Sequence, residues 1–195
     1  KLTDLAGNDL ISISNFAVTN SSSLVSSSGI PTLTLSEISN DGSKLILTFS
    51  ENISLASGAT FSALQVTVDG LTNPVTAVST SNTELQATLS DKVLAGQLIT
   101  FDYLSSSQII QDSDGNYLDT VSSQSVTNLS NVIGYVNGSA YEGDFHVMDG
   151  GMKMTGASHG AGTGQIIYSS IAESMSGTGE SVASTWSYKY EGVLS

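Results

Sequence analysis

The chain has 195 residues, of which 18 are acidic and 5 basic, all 5 of them lysines, giving a formal net charge of -13. With no arginine and so few cations it lacks the basic face that grips a phosphate backbone, which argues against nucleic-acid binding. It has no cysteine, which removes a disulfide framework, a thiolate zinc site and a Cys nucleophile. Charged residues make up only 12% of the chain and hydrophobic ones 39%. That is enough apolar material for a core and too little charge for a disordered polyelectrolyte. The length suits one domain plus a smaller piece. No run approaches the ~20 apolar residues needed to cross a bilayer. The first residue is not Met and no secretory signal is present, so the sequence reads as an excerpt or a processed product.

An internal repeat organises the first two thirds. Residues 3–22 (TDLAGNDLISISNFAVTNSS) align without gaps on residues 111–130 (QDSDGNYLDTVSSQSVTNLS). Asp4 matches Asp112, Gly7 matches Gly115, Asn8 matches Asn116, and Val18-Thr19-Asn20 matches Val126-Thr127-Asn128. The offset of about 108 residues is the length of one immunoglobulin-like sandwich with a short linker. Residues 1–23 therefore read as the last hairpin of a preceding repeat. Residues 24–30 read as a Ser-rich linker, and residues 31–131 as a whole copy.

That copy reads as strands throughout. Leu33 and Leu35 alternate with Thr34 and Ser36, and Asn40-Asp41-Gly42 marks a turn. Leu45, Leu47 and Phe49 alternate with Ile46 and Thr48. Leu64, Val66 and Val68 alternate with Gln65 and Thr67 before an Asp69-Gly70 turn. Val75 and Ala77 follow Pro74. Leu85, Ala87 and Leu89 form another alternating run, and Ile99, Phe101 and Tyr103 a further one. Period two over short runs, with a turn signal about every ten residues, predicts an all-β, immunoglobulin-like sandwich. Residues 51–63 have room for one helical turn.

Residues 132–195 have a different texture and are expected to form a smaller Gly/aromatic-rich β module. Phe145 to Met148, Asp149-Gly150-Gly151 and Met152 to Thr155 predict a tight hairpin. Gln165 to Ile171 is expected to be a strand, and Ser176 to Gly179 a turn. Trp186, Tyr188 and Tyr190 fall on one face of a last strand, and such a row must pack on something. About 60 residues bury a core only marginally, so this module is expected to pack on the sandwich, on a copy of itself or on a partner chain.

Two resemblances follow from these residues. KLILTFSE (44–51), QLITFDYL (97–104) and the twice-occurring D-x-x-G-N-x-L … V-T-N pattern resemble the long SwmB-type repeats of cyanobacterial cell-surface proteins, counted with bacterial immunoglobulin-like domains. That resemblance implies a spacer or adhesive sandwich with no catalytic residues. Tyr141-Glu142-Gly143, Phe145 to Met148 and Met154 to His159 resemble a short module of phage virion proteins, especially those of cyanophages. Where that module often has Pro before the aromatic-His pair, this chain has Asp144.

Few constellations carry chemistry. His146 and His159 flank the hairpin and, with Asp144 or Asp149, suggest a metal site. The competing reading is two histidines that bond backbone or pack an interface, and too few donors are visible to displace it. Asp112, Asp114, Asn116 and Asp119 give D-x-D-G-N-x-x-D, an oxygen-ligand pattern that suits calcium. The repeated residues are also turn-formers, and the first copy has Ala6 where the second has Asp114, which favours a structural turn. GASHGAGTG (156–164) lacks the ending of a phosphate loop. No strained nucleophile turn accompanies either histidine, and a carboxylate couple such as Glu173 with Glu180 looks like solvated surface. Sequons at Asn20, Asn52, Asn128 and Asn137 are what so Ser/Thr-rich a chain produces by chance.

The sequence thus predicts a non-enzymatic protein, without a cofactor unless calcium binds. It is expected to be a virion structural protein, as capsid decoration, cement or a tail or fibre element at the virion surface. The alternative is a fragment of a bacterial cell-surface adhesin or surface-layer repeat protein. A third reading is a calcium-stiffened carbohydrate-binding module. Expected partners are other protein chains of the assembly, without nucleic acid or membrane insertion. Phe145, His146, Met154, His159, Trp186, Tyr188 and Tyr190 are the candidate contact residues.

Overall fold

The computed structural model describes residue 6, residues 29–158 and residues 164–176. Ten strands build the main body: β1 (Leu33–Ile38), β2 (Lys44–Phe49), β3 (Ile53–Leu55), β4 (Leu64–Val68), β5 (Leu71–Thr72), β6 (Val75–Ser81), β7 (Glu84–Leu89), β8 (Ile99–Tyr103), β9 (Ile110–Asp112) and β10 (Val121–Asn128). Eight of them form one curled sheet in the order β5-β4-β8-β10-β1-β2-β7-β6. Its two halves fold over each other as an all-β sandwich, joined where β1 and β10 run parallel. β3 and β9 make a separate antiparallel pair, and Phe61–Ala63 form the one turn of 3-10 helix that residues 51–63 had room for.

Period-two patterning sets the core. Leu45, Leu47, Phe49, Leu64, Val66, Val68, Leu85, Ala87, Leu89, Ile99, Phe101 and Tyr103 all point inward and are buried together. The Asp69-Gly70 turn has both residues at positive φ, 49° and 83°, as a two-residue hairpin requires. β1 departs from the expected alternation. A bulge between Leu33 and Leu35 shifts its register against β2, and a one-residue shift exchanges the faces. Leu35 is therefore exposed, while Ser36 and Ile38 turn inward. Ser36 is accommodated because its hydroxyl donates to the Ser125 carbonyl at 3.0 Å, across the β1–β10 seam. A second bulge, between Val75 and Ala77, places Val78 rather than Ala77 against the core.

Beyond the sandwich lie two hairpins, β11 (Gly134–Val136) with β12 (Ser139–Tyr141) and β13 (Phe145–Val147) with β14 (Lys153–Thr155). Residues 165–171, expected as a strand, form no continuous strand but bridge the module at Tyr168–Tyr135 and Ile166–Met154, with further bonds from Thr155 N–H to the Gln165 carbonyl and from Ile167 N–H to the Lys153 carbonyl. A short helix, α1 (Ile171–Ser176), follows where no helical period was legible. It starts at Ser170, whose hydroxyl accepts the Glu173 N–H at 3.3 Å. The hairpin tip at Asp149-Gly150-Gly151 is as expected: Met148 and Met152 close it, and both glycines have positive φ.

Candidate functional site

The parallel β1–β10 pair fixes where the chain enters and leaves the sandwich. Glu37 lies beside Thr127 and Ile38 beside Asn128. β1 thus starts at one pole, and β10 ends at the other.

At that far pole the outgoing chain is latched down. Asn128 donates from Nδ2 to the Leu94 and Gln97 carbonyls, at 2.9 and 3.0 Å, and accepts the Ser130 N–H at 3.0 Å. Ser130 Oγ donates to the Val93 carbonyl at 2.6 Å. Asn131 N–H bonds Asn40, and Ala95 N–H bonds the carbonyl of fully buried Val132. The Asn40-Asp41-Gly42 turn supplies the other wall. Gly42 has φ +71° and sits so close to Val93 and Ser130 that a Cβ there would overlap the Val93 carbonyl. Asp41 accepts bonds from the Ser39 and Ser43 hydroxyls and the Ser43 N–H, and Lys92 stands 3.5 Å from it. The two serine hydroxyls, chiefly, hold its carboxyl well below the usual carboxylate range. Tyr135 then reaches back from β11. Burial, and then the nearby Asp91 charge, push its phenol above the ordinary value, while a bond from the Lys92 backbone N–H opposes the shift.

The residues singled out from sequence fall in three places. Phe145, His146 and Met154 are together on the β13–β14 hairpin, with His146 paired to Met154. All three are half-buried. His146 Nδ1 bonds the Gly156 carbonyl at 2.8 Å, the backbone role weighed against a metal. Lys153 Nζ stands 5.3 Å from the centre of the Phe145 ring. Asp144 uses its carbonyl to accept bonds from Tyr141 and Gly156. His159, Trp186, Tyr188 and Tyr190 lie outside the described residues, as do residues 1–5 and 7–28 of the preceding repeat and linker.

Asp112 is 2% exposed and faces inward. Its Oδ1 accepts the N–H groups of Asp114 and Asn116, both at 2.8 Å, and its Oδ2 accepts Asn116 Nδ2 at 2.8 Å. Asp114 and Asp119 are exposed. N–H donors aimed at a carboxylate are the arrangement of a turn. Among the described residues no three His, Cys, Asp or Glu side chains converge as a metal site would need. Sequence reading missed the latch. Its signal was the Asn and Ser of the repeated segment, Asn128 and Ser130 matching Asn20 and Ser22.

No family model matches this chain, and a search of curated proteins finds no match. Two solved structures are similar in fold. One is the N-terminal part of the bacterial S-layer protein SbsC, at 17% identity and a TM-score of 0.44, aligned over 72% of this chain and 33% of that one. The other is the S-layer protein rSbsC(31-844), at 16% identity and a TM-score of 0.44, aligned over 72% of this chain and 19% of that one. The chain spans a third or less of the length of either.

Proposed function

We propose that this chain is a non-enzymatic spacer module of a surface-displayed, multi-domain protein, the surface-repeat reading rather than the virion reading. One observation carries it: parallel β1 and β10 send the incoming and outgoing chain to opposite poles, so copies joined in sequence extend in a line. The repeated residues support it. Asp112, Asn116, Leu118, Val126 and Asn128, which have counterparts in the first copy or close equivalents of its pattern, make the turn, the core and the latch. Asp114 and Asp119, which a ligand site would add, are Ala6 and Ile11 in the first copy. The polar side chains of Asp41 and Asp112 bond their own turns, and those of Asn73, Asn128 and Ser130 bond the backbone of residues 91–97, which is work of folding rather than of substrate binding. A charge of -13 suits dense display in water.

The test is surface labelling. Antibodies against the folded chain should decorate intact cells of its source and not purified virus particles, and brief protease shaving should remove the signal. Labelling that appears only after lysis overturns the reading.

A further inference from the structure

Strand β6 ends one half of the sandwich, and among the described residues no strand hydrogen-bonds to its outer edge, though β3, β4 and the Phe61–Ala63 turn pack near it. Its hydrogen-bond phase follows from its neighbours. Leu89 N–H bonds Ser43 in the ladder to β2, and Ser90 N–H bonds Pro74. Antiparallel pairing alternates. Residues 85, 87 and 89 therefore bond toward β2, and residues 84, 86 and 88 bond toward β6. Their partners are Ser81, Ser79 and Ala77. Val78 and Thr80 are left with their N–H and C=O groups turned outward, along an edge where Ala77, Ser79 and Ser81 are exposed. Native edges are blunted by Lys, by Pro or by inward charges. Here Pro74 and the bulge guard only the first end, and no charged residue occurs from Gly70 to Thr83.

We propose that β6 is the edge through which two copies of this chain join, antiparallel, into one continuous sheet. A row of outward backbone groups is satisfied by another strand edge. In a two-fold pair the strand is its own complement. β5, the opposite edge, is only two residues long. Two molecules at -13 repel, and the uncharged strip is where they approach without setting carboxylate against carboxylate. The proposal rests on the spacer reading only for its setting, as a lateral contact between neighbouring copies.

Sedimentation velocity of the full chain, from micromolar to millimolar concentration, tests it. Wild type should dimerise, more tightly as added salt screens the charge. Thr80→Pro removes an outward N–H and leaves the ladder to β7 intact, so it should stay monomeric with a Tm close to wild type. Ser79→Glu, which sets like charges face to face, should weaken the dimer by about tenfold or more, and it serves if the proline variant fails to fold. A wild type that stays monomeric throughout overturns the proposal. So does association of both variants at wild-type strength, which would put the contact elsewhere and leave the spacer reading standing. Absent surface labelling with an intact β6 dimer would instead remove the spacer reading alone.

Discussion

Ser130 hangs the outgoing chain on Val93, donating to its carbonyl at 2.6 Å while accepting the Val132 N–H at 3.2 Å. Both bonds are buried, so their loss is felt in full. Ser130→Ala leaves a carbonyl and an N–H without partners and should cost about 1–3 kcal/mol, read as a lower Tm in thermal unfolding. Gly42→Ala strikes the same contact from the other side, where a Cβ would overlap the Val93 carbonyl and φ is +71°. It should cost more than Ser130→Ala. Equal and negligible effects would mean the latch does not hold.

Asp112 gives a second prediction. Its carboxylate receives N–H groups from Asp114 and Asn116, and it is buried. Asp112→Ala should lower stability by about 2–3 kcal/mol by stranding those donors. Asp114→Ala and Asp119→Ala, at exposed positions, should stay within about 0.5 kcal/mol of wild type. Calcium at millimolar concentration should leave the Tm unmoved. An upward shift abolished by Asp114→Ala would restore the calcium reading.

Much of the sandwich was legible because strands such as β2, β4, β7 and β8 show one face to water and one to the core, so alternation in the sequence is alternation in space. Leu45, Leu47 and Phe49 illustrate this. β1 misled for a reason that local pattern does not carry. Its bulge is set by pairing with β2, and only the Ser125 carbonyl across the seam makes an inward Ser36 tolerable. Residues 165–171 misled in a similar way. Their apolar run follows strand chemistry, but its pairing with Tyr135, Lys153, Met154 and Thr155 stays at isolated bridges and single bonds, without a continuous ladder, before Ser170 starts α1. The latch was written in Asn128 and Ser130, residues whose side chains serve turns and surfaces equally well, so their role appears only when Val93 and Leu94 are brought beside them.

The Asp41 turn makes the far pole acid-sensitive. The Ser39 and Ser43 hydroxyls, foremost, hold its carboxyl below the ordinary range. A carboxyl with a lowered folded pKa contributes stability above its unfolded value, near pH 4, and loses it as pH falls through the folded value. Because Asp41 is half exposed, the gain is modest. The difference in Tm between wild type and Asp41→Asn should therefore be present at pH 7 and shrink below about pH 4. A difference that stays constant from pH 7 to pH 2.5 would dissociate the turn from the acid response.

Tyr135 gives the opposite signature, at the seam between sandwich and hairpins. Its phenol is raised above about 10 by burial and then by Asp91. A group with a raised folded pKa contributes fully below its unfolded value and loses that contribution as pH rises through the folded one. At pH 8 the Tyr135→Phe variant should melt slightly lower than wild type, because the Lys92 N–H loses its acceptor. Above about pH 10 wild type must force the neutral phenol into the seam, whereas the variant's phenyl ring has nothing to titrate. The gap in Tm should then close or reverse. Paired melts from pH 8 to pH 11 read this directly. A gap that does not change over that range would show that Tyr135 does not couple the hairpins to the sandwich through its hydroxyl.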